Sequence, residues 1–301
     1  MSKTIQRLSL FFALVFVLLL AALLASYFFY QQPLKSALNG NNRLSYLKEL
    51  IIPRRDKKII YGFLPYWNLR DFALQPELTH LAYFSLTIAA DGSLITQTGA
   101  SLEPGFNNFR AERFLEISNQ ARQQNTQVEL VLSQFDNDDI YQFVNDEKAH
   151  LTLINSLDSL LQAYPISGLN IDIEYSAAVD EQLRQNFVTF IRKLDWYLDS
   201  KYDQVNLSID VYASAASNDA LIWDIAALEP YLDYIIVMAY DFHSRLSTQA
   251  GPVAPLFSED DSWSKNINQQ LKKFLDHVDR SKLLLGIPFY GYGRQTDSNQ
   301  P

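Results

Sequence analysis

From Lys58 onward, apolar runs alternate with stretches of helical period. Seven runs read as strands: "IIYGFLPYW" (59–67), "THLAYFSLTI" (79–88), "VELVLSQF" (128–135), "ISGLNIDIEY" (166–175), "VNLSIDVYA" (205–213), "YIIVMAYDF" (234–242) and "KLLLGIPFY" (282–290). Between them, Leu183, Phe187, Phe190, Ile191 and Leu194 fall at helical spacing, as do Trp263, Ile267, Leu271, Phe274 and Leu275. Both sets predict amphipathic helices. Strand alternating with helix predicts parallel pairing through right-handed crossovers. Seven such steps exceed a small doubly wound sheet and suit an α/β fold of the (β/α)8 barrel type. Seven of its eight strands are present, so the sequence is expected to be a piece of a longer barrel.

The N-terminal pattern is different. Leu8 to Tyr30 ("LSLFFALVFVLLLAALLASYFFY") is uncharged and interrupted only by Ser9 and Ser26. About 20 apolar residues cross a bilayer core, whereas a secretory signal has a shorter apolar centre and a small-x-small cleavage site. The best cleavage candidate, "LLAS", has Leu where a small residue belongs, so an uncleaved transmembrane signal-anchor is expected. The predicted organisation is a cytoplasmic tail (1–7), the anchor (8–30), a polar and basic linker (31–57) and a barrel domain (58–301). The barrel is expected on the exported side, periplasmic or extracellular.

Composition narrows the chemistry. The 301 residues carry a formal net charge of -9, which disfavours a nucleic-acid surface built on clustered Lys and Arg. Cysteine is absent, so there is neither a disulfide framework nor a thiolate nucleophile. The four histidines (His80, His150, His243, His277) are not at ligand spacing, and neither metal nor cofactor is expected.

Within the fourth run, "GLNIDIEYS" raises a question of its own. Side chains two apart on a strand share a face, so Asn170, Asp172 and Glu174 line one side while Leu169, Ile171, Ile173 and Tyr175 line the other. No Lys or Arg lies between Gly168 and Tyr175 to pair with them. Like charges buried together push at least one pKa upward, which serves a site needing a protonated carboxyl near neutral pH. On a barrel such groups collect at the C-terminal ends of strands. Polar or aromatic residues end several runs: Tyr66 and Trp67, Gln134 and Asp136, Tyr240 and Asp241.

These residues resemble glycoside hydrolase family 18, the chitinases and endo-β-N-acetylglucosaminidases. The family's fourth-strand signature, D-G-x-D-x-D-x-E, is similar to the chain from Ser167 to Glu174, with Ser167 and Asn170 in place of the first two aspartates. "VMAYD" resembles the sixth-strand M-x-Y-D motif, and "KLLLGIPFYGYG" the seventh strand. The third strand departs, reading "LSQFDND" where many chitinases carry S-x-G-G.

The resemblance implies retaining, substrate-assisted cleavage of β-1,4 bonds in N-acetylglucosamine-containing polysaccharide, of chitin or peptidoglycan type. It implies Glu174 as general acid, Asp172 as the residue orienting the acetamido group, and Tyr240 as its hydrogen-bond partner. Asp241 is expected to contact the sugar and Asn170 to hydrogen-bond Asp172. Trp67 is a candidate stacking surface, and Met238 is expected to pack beneath the substrate. A catalytically silent carbohydrate-binding barrel is the alternative reading.

Overall fold

The computed structural model describes residues 58–258 and 265–293. The predicted anchor, the linker to residue 57 and Trp263 lie outside the described residues. Among the described residues, no helix is long and apolar enough to cross a membrane.

Seven strands form one parallel sheet: β1 (Tyr61–Pro65), β2 (His80–Thr87), β3 (Gln127–Gln134), β4 (Gly168–Ile173), β5 (Asn206–Tyr212), β6 (Tyr234–Met238) and β7 (Leu283–Gly286). They are hydrogen-bonded in chain order, with every neighbouring pair parallel. Sequential order of this kind requires each crossover to advance by one strand in the same direction, which makes a curled, barrel-like wall. The connections carry helices α1 (Pro104–Phe109), α2 (Glu112–Gln123), α3 (Asn137–Asn145), α4 (Glu147–Ala163), α5 (Glu181–Lys201), α6 (Ile225–Leu228) and α7 (Ile267–Leu275). A small hairpin pairs Gln97–Thr98 with Ser101–Leu102.

All seven predicted strands form, but most are shorter than their apolar runs. β1 gives way to a 3-10 turn at Tyr66–Asn68, β4 stops at Ile173, and β6 stops at Met238. The trimmed residues are those at the rim, where the chain must leave the sheet and turn towards its helix. The predicted stripe of α5 is buried in full at Leu183, Phe187, Phe190, Ile191 and Leu194. That of α7 holds at Ile267 and Phe274, whereas Leu275 is exposed on the last turn.

Local sequence sets the helix starts. Asp136, Asp146, Asp180 and Asp224 each cap a helix by accepting backbone N–H bonds, as short acidic side chains do at N-caps. Asp136 is therefore committed to α3. Gln134 is a bracket as well: its Oε1 accepts from the backbone N–H groups of Phe135 and Asp136, and its amide donates to the Ile88 carbonyl. Neither residue belongs to the rim chemistry that the end of "VELVLSQF" suggested.

The strands obey period-two logic with an unusual division. On β4 and β5 one face (Leu169, Ile171, Ile173; Leu207, Ile209, Val211) joins the apolar core together with Leu153, Leu157, Phe187 and Leu194 of the helices. The opposite face carries Asn170, Asp172, Ser208 and Asp210, all buried as well. With the apolar faces under the helices, this polar face is the inside of the curled sheet.

Candidate active site

The polar interior is a column built from three strands. At its base Glu129 of β3, with no solvent exposure, accepts a 2.6 Å hydrogen bond from the Tyr61 hydroxyl. The Ser208 hydroxyl reaches the same carboxyl at 3.4 Å, and His80 Nε2 stands 3.9 Å from its other oxygen. Burial pushes Glu129 up to about 7 and the His80 imidazole down to about 4. Gly168 is required here, since a Cβ at that position would lie 2.7 Å from the Glu129 side chain.

One step higher, Asn170 Nδ2 donates to Ser208 Oγ at 3.0 Å and to Asp210 Oδ1 at 3.1 Å. This differs from the expectation that Asn170 hydrogen-bonds Asp172. Residues two apart on a strand are about 6.6 Å apart, whereas in-register neighbours on adjacent strands are about 4.8 Å apart, so the short amide reaches sideways rather than up. Asp172 is left with its Oδ1 buried and without a hydrogen-bond partner, only 3% exposed. Burial first, and the adjacent Glu174 carboxylate second, push it up to about 8. Asp210 is displaced well above the usual range by burial and by the charge of Asp172.

Glu174 sits at the rim, one residue past β4, and its N–H continues the ladder to the Gln134 carbonyl at 3.1 Å. It is half-buried, and the Tyr212 hydroxyl is a hydrogen-bond partner of its carboxylate. Burial raises the Tyr212 and Tyr240 phenols, and both also feel Asp172 and Glu174, so the two rings flank the acid pair. No ion pair among the described residues involves Asp172, Glu174 or Asp210. Lys265 lines the cavity beside Tyr212 and Tyr240 without forming an ion pair with these carboxyls.

A cavity of about 330 Å³ opens beside this pair, lined among others by Tyr212, Met238, Tyr240 and Asp241. Met238 is half-buried in its wall. Gly286 of β7 lets Tyr240 approach: a Cβ there would lie 2.8 Å from the Val237 carbonyl and 3.2 Å from the Tyr240 ring. Asp241 adopts φ 57°, a left-handed conformation that Asp tolerates better than most residues. The Tyr290 and Tyr292 hydroxyls donate to its Oδ1 at 2.9 and 3.0 Å, which holds the carboxylate against those two rings.

Trp67 stands apart from the acids. It is 61% exposed at the rim, edge-on to Tyr66 and Phe84. The described residues contain no cluster of three or more side chains able to hold a metal.

The structure thus brings Asp172, Glu174, Tyr240 and Met238 together, with Asn170 below and Asp241 beside them. Sequence reasoning missed Asp210, Glu129, Ser208 and Tyr212. Their signal was the same alternation that exposed Asp172: Ser208, Asp210 and Tyr212 interleave with Leu207, Ile209 and Val211.

A parallel barrel wall with paired carboxyls at the end of its fourth strand is one observation, and the sequence comparison supplies the deciding one. The model of glycosyl hydrolases family 18 matches residues 55–301. The chain belongs to this family.

Within family 18, the chain is 25% identical over 247 residues to YdhD of Bacillus subtilis, named as a sporulation-specific glycosylase, covering 77% of this chain and 52% of that protein. It is 27% identical over 157 residues to chitinase A1 of Niallia circulans, covering 46% of this chain and 22% of that one. Among solved structures, the Group IV chitinase of Ostrinia furnacalis in complex with allosamidin superposes with a TM-score of 0.66 at 23% identity. That match covers 77% of this chain and 66% of the other, and it establishes the barrel fold. The chain therefore spans about half the length of YdhD and less of the chitinase.

Proposed function

We propose that this family 18 barrel hydrolyses β-1,4 bonds adjacent to N-acetylglucosamine, with retention of configuration. The observation that carries the reading is the Asp172–Glu174 pair, a buried aspartate and a half-buried glutamate at the end of one barrel strand, with no ion pair to either and with Tyr212 and Tyr240 flanking them. In this reading Glu174 gives its proton to the glycosidic oxygen. The substrate's own acetamido oxygen attacks C1 as that bond breaks, forming an oxazolinium ion, an exception to the usual two-carboxylate scheme. Asp172 accepts the acetamido N–H and stabilises the positive charge, and Tyr240 holds the acetamido group from the other side. Glu174 then takes a proton from water as the water attacks C1, which restores the acetamido group and the acid. Asp241 contacts the sugar ring across the cavity, and exposed Trp67 offers a face for a neighbouring sugar.

The relatives named as chitinases and as a sporulation-specific glycosylase support N-acetylglucosamine polymers, chitin or peptidoglycan, as the substrate class. The test is incubation of the full chain with N-acetylglucosamine oligomers and with peptidoglycan, followed by mass spectrometry and early-time NMR of the anomers. β-Anomer products are expected, and first-formed α-anomers would exclude the retaining mechanism. Binding of either glycan without any cleavage would favour the silent carbohydrate-binding barrel.

We infer also that the apolar run 8–30 anchors the chain and leaves the barrel on the exported face of the membrane, where envelope polysaccharide is at hand. Protease added to intact cells is then expected to digest the barrel, and its protection would place the barrel on the inner side.

A further inference from the structure

Asp210 has no part in the mechanism above, yet it is buried in the column immediately beside the acid pair. Asn170 pairs in register with Ser208. Ile171 pairs in turn with Ile209, and Asp172 and Asp210 are the residues that follow this last pair on the two strands. The charge of Asp172 acts on Asp210 more strongly than that of any other group. Asp172 and Asp210 are each only 3% exposed.

The hydrogen bonds assign the two ends of the Asp210 carboxyl. Asn170 donates to Asp210 Oδ1, which leaves Oδ2 to carry the proton. Asp172 Oδ1 is buried without a donor. The other titratable groups facing Asp210 are Glu174 on β4, Glu129 on β3, Tyr61 on β1 and Tyr240 beyond β6, none of which is cationic. In such surroundings the second of two adjacent carboxyls keeps its proton. Asp172, the charge that acts most strongly on Asp210, is the group placed to use that O–H.

We propose that Asp210 is a positioning residue whose O–H donates to Asp172, stabilising the Asp172 anion and so keeping the working proton of the acid pair on Glu174. The fourth-strand signature has aspartate where this chain has Asn170, and the carboxyl has moved one strand over, from β4 to β5. This inference rests on Glu174 being the acid. Without the Asp210 donor, the proton of the pair settles on Asp172, where it faces no glycosidic oxygen. A hydrogen bond to a charged acceptor contributes about 1.5–3 kcal/mol, which sets the bias between the two sites at roughly 10- to 150-fold.

The test compares the full chain, solubilised in detergent, with Asp210→Ala and Asp210→Asn. For Asp210→Ala, kcat is expected to fall about tenfold or more with little change in KM. Its alkaline limb should move up by about one pH unit, because the proton now rests on an anion that has lost its donor. Asp210→Asn, which still offers an N–H, is expected to lose far less. If Asp210→Asn is as impaired as Asp210→Ala, or the limb does not move, Asp210 is only a packing residue.

A second readout needs no substrate: aspartate Cγ NMR titration, with resonances assigned by Asp172→Asn and Asp210→Asn. The Asp210 signal is expected to stay at its protonated position to pH 8, and the Asp172 midpoint to rise in Asp210→Ala. An Asp210 signal that titrates near 4 overturns the assignment. If the unmodified chain cuts no glycan, the proposed function fails, and the role of Asp210 is decided by these spectra.

Discussion

Glu174→Gln is expected to abolish hydrolysis of N-acetylglucosamine oligomers, lowering kcat by about 10³-fold or more while leaving binding within a few-fold. The amide has the shape of the acid and can keep the contact with Tyr212, but it has no proton to give. General acid catalysis is worth about 10²- to 10⁴-fold. The upper part of that range applies because the leaving group is a sugar alkoxide, and no ion pair or metal-ligand cluster among the described residues offers a substitute acid. The fold should tolerate the change, since Glu174 lies past the end of β4 and is only half-buried. Kinetics at fixed pH alongside glycan binding by calorimetry would check this. A variant that retains a tenth of the rate would show that the proton comes from elsewhere.

Much of this site was legible because its information is local. Strand periodicity alone places Asn170, Asp172 and Glu174 on one face, and the apolar residues between them declare the other face buried. The seven strands could be read for the same reason. What local pattern does not contain is the level at which one strand meets the next. Asn170 turned to Ser208 and Asp210, not to Asp172, because the register between β4 and β5 brings those groups nearer than the next step along its own strand.

Asp210 and Glu129 were passed over for that reason: the alternation of β5 was on view, but what each carboxyl meets lies across the sheet. Rim residues misled in the opposite direction. Gln134 and Asp136 looked like chemistry at a strand end, and they are occupied with closing the β3 turn and starting α3. A polar residue at a strand end has two employers, the substrate and the next helix, and Asp immediately before a run of helix favours the second.

Asp172→Asn is the second large expectation, and it pulls activity and stability in opposite directions. The carboxyl is buried, its Oδ1 lacks a donor, and its ordinary ionisation is displaced up to about 8. A folded-state pKa above the unfolded one means that the native chain holds a proton which the unfolded chain releases from about pH 4 upward. Stability from this group is therefore complete at acid pH and declines as pH rises towards 8, at about 1.4 kcal/mol per unit.

Asparagine has the same shape and no charge to bury. The urea midpoint of Asp172→Asn should match that of the parent near pH 4 and exceed it at pH 8, by about 1–3 kcal/mol after relaxation of the site. Catalysis should fall about 10²- to 10³-fold in kcat, because the positive charge that develops at C1 and on the acetamido group loses its counter-charge in a site with low effective dielectric. The alkaline limb should move to lower pH, since the one carboxyl left in the pair has no like charge beside it. Parallel urea titrations and pH–rate profiles would decide the matter. If Asp172→Asn proved less stable than the parent at pH 8, the buried charge must be held by a strong donor, and the Asp210 O–H proposed above is the one in place. In that event Asp172 is an anion throughout the neutral range.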